Sequence, residues 1–126
     1  AKLRSEINQN VLVITRGLDC CLWIFTPDEW TQLKNKLMSS ASLFNEKNRM
    51  VLRRFIAPAQ EVEFDKAGRI SIPQSLREYA KLDKDCTILA VDRYFELWNS
   101  SVYKEYWDAS EESLAEATKE LSDICF

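Results

Sequence analysis

The groups in this sequence that could do chemistry are charged and sit close together. Glu61, Glu63 and Asp65 alternate along one short run, and Lys66, Arg69 and Arg77 follow directly downstream. Carboxylates two residues apart share one face of a strand, which makes the triplet a candidate acid–base cluster. No second constellation accompanies it, and a solvated strand face accounts for it as well. The chain has no histidine, so the usual general base at neutral pH is missing. Its four cysteines (Cys20, Cys21, Cys86 and Cys125) have no C-x-x-C spacing. A metal site is therefore not expected, and the thiols read as free and buried. No cofactor is implied and catalysis is not expected. What the neighbouring cations can do is grip an anion: an arginine on a turn tip can make paired hydrogen bonds to guanine or to phosphate.

The elements that must position these groups run from Glu61 to Arg77. Val62 and Phe64 alternate with Glu61, Glu63 and Asp65, and Ile70 and Ile72 alternate with Arg69 and Ser71, the period of two strands. Asp65-Lys66-Ala67-Gly68 lies between these runs. Asp65 can bond its own backbone, and Gly68, one of two glycines in the chain, can take the positive φ a tight hairpin needs. Pro73 suits the first position of a short helix over 74–80. On this tip Arg69 is assigned to recognition and Lys66 to positioning on phosphate. Asp65 orders the turn and aims Arg69, with a salt bridge to Arg69 or Arg77 as one means. An ordinary polar hairpin tip is the competing explanation of all four residues.

Length and composition fit this layout. The chain has 126 residues, 46% of them hydrophobic, with Trp 4, Tyr 4 and Phe 6 against Gly 2 and Pro 3. That is enough for one compact domain, or two small halves sharing a core, built of regular elements with short connections. No apolar run reaches a membrane span and the start lacks a secretory pattern, so a soluble cytoplasmic protein is expected. The formal charge is −3, but residues 108–126 carry six acids and one lysine, or −5, which leaves +2 on residues 1–107. A mildly basic body is permissive for nucleic acid and does not identify it.

Laid on itself with a shift of 73, the chain pairs Leu3 with Leu76, Arg4 with Arg77, Leu18 with Val91, Asp19 with Asp92, Ile24 with Leu97, Phe25 with Trp98 and Trp30 with Tyr103, an internal repeat. On that reading the chain starts inside its first unit, and a partner of Glu61 to Pro73 is expected before Ala1. Strands are predicted at 11–15 and 21–25 around Gly17-Leu18-Asp19, and at 87–91 and 94–98 around Asp92-Arg93. Each second strand leads into a helix start, Thr26-Pro27-Asp28-Glu29 in one half and Asn99-Ser100-Ser101 in the other. Trp30, Leu33 and Leu37 then share a helical face. A linking helix is predicted over 43–56, where Arg49, Arg53 and Arg54 form either a phosphate-facing row or a solvated face. In a last helix, about 111–125, Leu114, Ala117, Leu121 and Ile124 form a stripe suited to either the core or a subunit contact.

The run Asp65-Lys66-Ala67-Gly68-Arg69-Ile70-Ser71-Ile72-Pro73, followed by Leu76-Arg77, resembles the signature of the MraZ family. The likeness extends to Gly17-Leu18-Asp19 before Cys21-Leu22, to Thr26-Pro27-Asp28-Glu29-Trp30 and to Phe95-Glu96-Leu97-Trp98. It implies an α+β fold in which two AbrB-like (SpoVT-AbrB) halves form an intertwined, swapped-hairpin β-barrel with flanking helices. The units would be a first half at 1–42 lacking its N-terminal hairpin, a linking helix at 43–58, a second half at 59–110 and a C-terminal helix at 111–126. It further implies a ring-like homo-oligomer, nucleoid-associated, that binds promoter direct repeats and regulates, as a repressor, a cell-division and cell-wall operon. Carried onto this chain, the DNA-contacting positions are Asp65, Lys66, Gly68 and Arg69, with Arg77 and Arg4 as accessory or structural positions. The family pattern has a second copy of the motif in the first half, which this sequence lacks. The rival from another class keeps the fold without direct DNA contact, as an oligomeric interaction module or an antitoxin-like partner.

Overall fold

A computed structural model describes residues 10–125. Strands β1 (Val11–Arg16) and β2 (Leu22–Phe25) form a hairpin that leads into helix α1 (Pro27–Ser40). Helix α2 (Glu46–Val51) runs into a π-helical turn over Leu52–Ile56, and strand β3 (Gln60–Glu63) and helix α3 (Gln74–Tyr79) follow. A second hairpin, β4 (Cys86–Ala90) and β5 (Phe95–Asn99), leads into the long helix α4 (Ser100–Cys125). The strands make one antiparallel sheet in the order β3-β1-β2-β5-β4. The α+β class matches the sequence reading. The sheet is open rather than closed into the barrel that the resemblance implies.

Both faces of the sheet are used, because inward residues alternate along each strand. On one face Leu12, Ile14, Leu22, Ile24 and Leu97 are buried with Phe64, Leu76 and Ala80, and Val62, Ile70, Ile72 and Tyr79 pack against them. Each fully buried aliphatic side chain here contributes roughly 1.5–3 kcal/mol. The other face is aromatic. Trp23 stands edge-on to Phe55 at 5.2 Å, Phe25 meets Trp30 at 5.4 Å, and Trp23 meets Tyr94 at 4.8 Å. Thr15, fully buried, donates from Oγ1 to the Phe55 carbonyl oxygen and ties β1 to the π-helical turn.

The repeat is visible in the backbone. Val13 opposite Phe25 in the first hairpin answers Thr87 opposite Trp98 in the second. The offset is therefore 74 on the first strand of each hairpin and 73 on the second. The difference lies in the turns, where Gly17 to Cys21 spans five residues and Val91 to Tyr94 four. Gly17 N donates to Cys21 O and Val91 N to Tyr94 O, both at 2.9 Å. Gly17, not Leu18, is thus the counterpart of Val91. Where the hairpins meet, Leu22 lies opposite Leu97, Trp23 opposite Glu96 and Ile24 opposite Phe95. That register places a local two-fold at the Trp23–Glu96 pair, where the indole Nε1 donates to Glu96 Oε2 at 3.0 Å. Phe25 with Trp30 at 5.4 Å and Trp98 with Tyr103 at 5.1 Å repeat one packing motif.

Both predicted helix caps are present. Thr26 Oγ1 accepts from Glu29 N, and Asn99 Oδ1 accepts from Ser101 N and Val102 N. Four details differ from the sequence reading. The linking helix starts at Glu46, because the Asn45 side chain caps it, and it widens at Leu52, whose carbonyl accepts from Ala57 N. The helix predicted from the Asn99 cap and the one predicted over about 111–125 are one continuous helix, Ser100–Cys125. On it Leu114 is 61% exposed and Leu121 58% exposed, so these two positions of the stripe do not serve the core of this chain. Cys86 is exposed, against the expectation of buried thiols, while Cys21 is buried and Cys20 half-buried.

Candidate nucleic-acid interface

Phe64 anchors the candidate site from below. Its side chain is buried and its backbone N donates to Asn10 O at 3.0 Å, extending the β1–β3 pairing by one step. The chain then leaves the sheet. Asp65 N donates to Arg69 O at 2.7 Å and Gly68 N to Asp65 O at 3.0 Å, so the tip holds three residues, 66–68. Gly68 has φ 77°, the left-handed residue that closes a three-residue hairpin loop. Asp65 Oδ1 accepts from both Ala67 N and Arg69 N at 2.8 Å. A carboxylate holding two backbone donors fixes the loop from inside. Asp65 thus orders the turn through two backbone hydrogen bonds.

Asp65, Lys66, Gly68 and Arg69 stand together in this single turn, with Lys66 and Arg69 exposed and Gly68 half-buried. Ile70 and Ile72 reach back into the core while Arg69 and Ser71 face out. The period of two holds there, but 70–72 is not a strand, because no described strand lies alongside to complete a ladder. Pro73 sits just before α3 as its N-cap rather than at its first position, and in α3 Leu76 is buried and Arg77 is exposed in the last turn. Arg4 lies outside the described residues.

The strand that leads into this turn pairs with the first hairpin, not with the strands that follow it. Strand β3 pairs with β1, Glu63 opposite Val11 and Gln60 opposite Ile14. At the far end of α3 the Tyr79 hydroxyl donates to Gly17 O at 2.8 Å, with Asp19 O at 3.2 Å. Cys20 Sγ donates to Tyr79 O at 3.6 Å. The turn is thus held at both ends by the first hairpin. Burial first, and the nearby Cys21 and Cys20 second, raise the Tyr79 hydroxyl above its ordinary pKa.

A family model described as "MraZ protein, putative antitoxin-like" matches residues 1–54 and again residues 55–125. The chain belongs to the MraZ family. A protein of Treponema denticola named "Transcriptional regulator MraZ" is 52% identical over 126 residues, which cover all of this chain and 88% of the relative. Proteins of the same name from two strains of Treponema pallidum are each 44% identical over 125 residues, covering 99% of this chain and 84% of the relative. The two MraZ matches meet at 54/55, within the π-helical turn, so each holds one hairpin and the helix after it.

Sequence reasoning did not find the anchors of the MraZ turn. Asn10, Gly17 and Tyr79 hold it through backbone carbonyls or a hydroxyl across 54 to 62 positions of sequence, and no local pattern signals such bonds. Nor did it separate the arginines of the linking helix: Arg49 Nη1 donates to Leu43 O at 2.8 Å, while Arg53 and Arg54 are exposed. Among the described residues no group of three or more acids, cysteines or histidines could hold a metal ion. No helix among them is long and apolar enough to cross a membrane.

Proposed function

We propose that this chain is a DNA-binding transcriptional regulator whose Asp65–Arg69 turn contacts the DNA. The carrying observation is the division of labour in that turn. Asp65 Oδ1 holds two backbone N–H groups and so fixes the loop, and Lys66 and Arg69 are exposed cations on it. Arg69 reads guanine or grips phosphate through paired hydrogen bonds, Lys66 neutralises phosphate, Gly68 permits the turn, and Arg77 supports from α3. The names of the Treponema relatives support the regulatory reading.

One turn offers few charges, and the phosphate contribution grows with the number of contacts. Affinity then comes from multiplicity: a ring-like homo-oligomer, its halves completing an intertwined barrel, presents several turns to promoter direct repeats. The acidic end of α4 stays away from the DNA face. The regulator acts as a repressor of a division and cell-wall operon, in the cytoplasm at the nucleoid. A second reading, an oligomeric interaction or antitoxin-like module, is favoured by the exposed Leu114 and Leu121 on α4.

Gel-shift titration on tandem-repeat DNA at several salt concentrations tests the first reading. The unaltered chain should lose affinity steeply with salt. Arg69→Ala should abolish specific binding while circular dichroism and light scattering stay unchanged. Wild-type affinity in Arg69→Ala removes the assignment, and binding without a salt slope favours the interaction module.

A further inference from the structure

A cavity of about 280 Å³ lies on the aromatic side of the molecule, between the end of β1, helix α1 and the π-helical turn. Its walls are apolar: Leu33 and Leu37 from α1, Met50 and Val51 from α2, and Phe55. Two guanidinium groups, Arg16 and Arg54, share the lining with the Tyr79 ring, and no carboxylate is among the lining residues. Arg16 Cζ sits 5.0 Å from the Tyr79 ring centre. Its Nε is buried and meets no hydrogen-bond acceptor among the described residues. A buried donor left unpaired is unfavourable, and charged donors are the least tolerated of these. At the rim Leu18 is 80% exposed, with Met50 and Val51 about half exposed. The site therefore has a cationic end with no counter-charge and a greasy remainder. A π-helical turn, common where a helix has been reshaped around a site, forms one wall.

We propose that this cavity binds a small amphipathic anion, a carboxylate on a short alkyl chain, with the carboxylate between Arg16 and Arg54 and the chain against Leu33, Leu37 and Phe55. Charge complementarity selects an anion, and planar guanidinium groups match a carboxylate well. The volume selects the size. At about 30 Å³ for each water-sized group, the space holds roughly nine heavy atoms, which suits a medium-chain acid.

Isothermal titration with octanoate, and with 1-octanol as its neutral counterpart, tests the proposal. Octanoate should bind at one site per chain, roughly tenfold or more tighter than 1-octanol. Arg54→Met, a change at an exposed side chain, should remove that advantage and leave 1-octanol binding unchanged. Equal affinities for the two probes, or octanoate binding that Arg54→Met does not alter, overturns the proposal. So does a groove filled by a second copy of the chain: octanoate would then release no heat, and Leu37→Lys would lower the molar mass measured by light scattering.

Discussion

Ile14 and Ile88 occupy the same position in two hairpins of one repeat, facing Ile24 and Leu97 across their ladders, yet one is 0% exposed and the other 53%. The strands themselves do not cause the difference. Strand β3 pairs along the outer edge of β1, and Phe64, Leu76 and Ala80 close over its inner face, whereas β4 ends the sheet with Cys86, Ile88 and Ala90 exposed among the described residues. The covering segment, residues 60–80, precedes β4 in sequence but is spent on β1. One sequence pattern thus gives a core strand or an edge strand according to what lies over it, and the Asp65–Arg69 turn is carried by the piece that does the covering.

If covering rather than sequence sets stability, the same truncation must act differently in the two halves. Ile14→Ala should destabilise by about 2–4 kcal/mol through lost transfer and an unfilled cavity. Ile88→Ala should stay below roughly 1 kcal/mol. Urea unfolding of the two variants checks this, and equal losses would mean that β4 is buried in solution by something supplied in trans. The turns give the next contrast. A Cβ on Gly17 would stand 2.7 Å from Cys21 Sγ and 2.8 Å from the Trp23 ring, and Trp23 is held in place by Glu96 and Phe55. Gly17→Ala should therefore lose about 1–3 kcal/mol. Its counterpart Val91, partly exposed, should tolerate alanine within about 0.5 kcal/mol.

The two hairpins, the helix caps, the Gly68 turn and the repeat were legible because each is written in local chemistry: alternation, a side-chain oxygen before a helix, a glycine where φ is positive. What escaped was non-local. Whether Ile70 to Ile72 becomes a strand depends on a neighbour, and nothing in those residues says that β3 will pair with β1. The single-residue difference between the turns was hidden because a shift of 73 fits the second strands and the apolar pattern tolerates one slip in the first. That Asp65, Lys66, Gly68 and Arg69 share one turn was legible, but the arrangement that holds the turn was not, since carbonyl oxygens of Asn10 and Gly17 carry no side-chain signature.

Cys21 and Tyr94 are matched positions, and both are acids whose protons the fold retains. Burial, with the Glu96 charge next, pushes the Cys21 thiol from 9.0 up to about 12. Burial and Glu96 raise Tyr94 as well. A folded pKa above the unfolded value gives stability that is complete below pH 9 and falls between pH 9 and 12, because the unfolded chain releases a proton the folded chain keeps. At pH 10 the Cys21 contribution to this loss is about 1.4 kcal/mol. Urea unfolding at pH 8 and pH 10 should therefore show a larger drop for the wild type than for Cys21→Ala. Equal drops would place the alkaline sensitivity elsewhere.

The smallest contrast separates two aspartates. Asp19 and Asp92 match at an offset of 73, but Asp92 has φ 98°, while Lys81 and Asp92 are the only non-glycine residues with positive φ among those described. The shorter second turn has one residue fewer in which to reverse the chain, and Asp92 absorbs the difference in a region L-residues rarely enter. Glycine meets no such penalty. Asp92→Gly should raise stability by up to about 1 kcal/mol, or roughly 3–5 °C in Tm for a chain of this size. Asp19→Gly has no strain to release and gains only unfolded-state freedom, so it should lower Tm slightly. Thermal unfolding of the two variants side by side decides the matter. If both fall, the aspartate at 92 is held by contacts worth more than its backbone strain, and the inequality of the turns is one of side-chain bonding rather than of length.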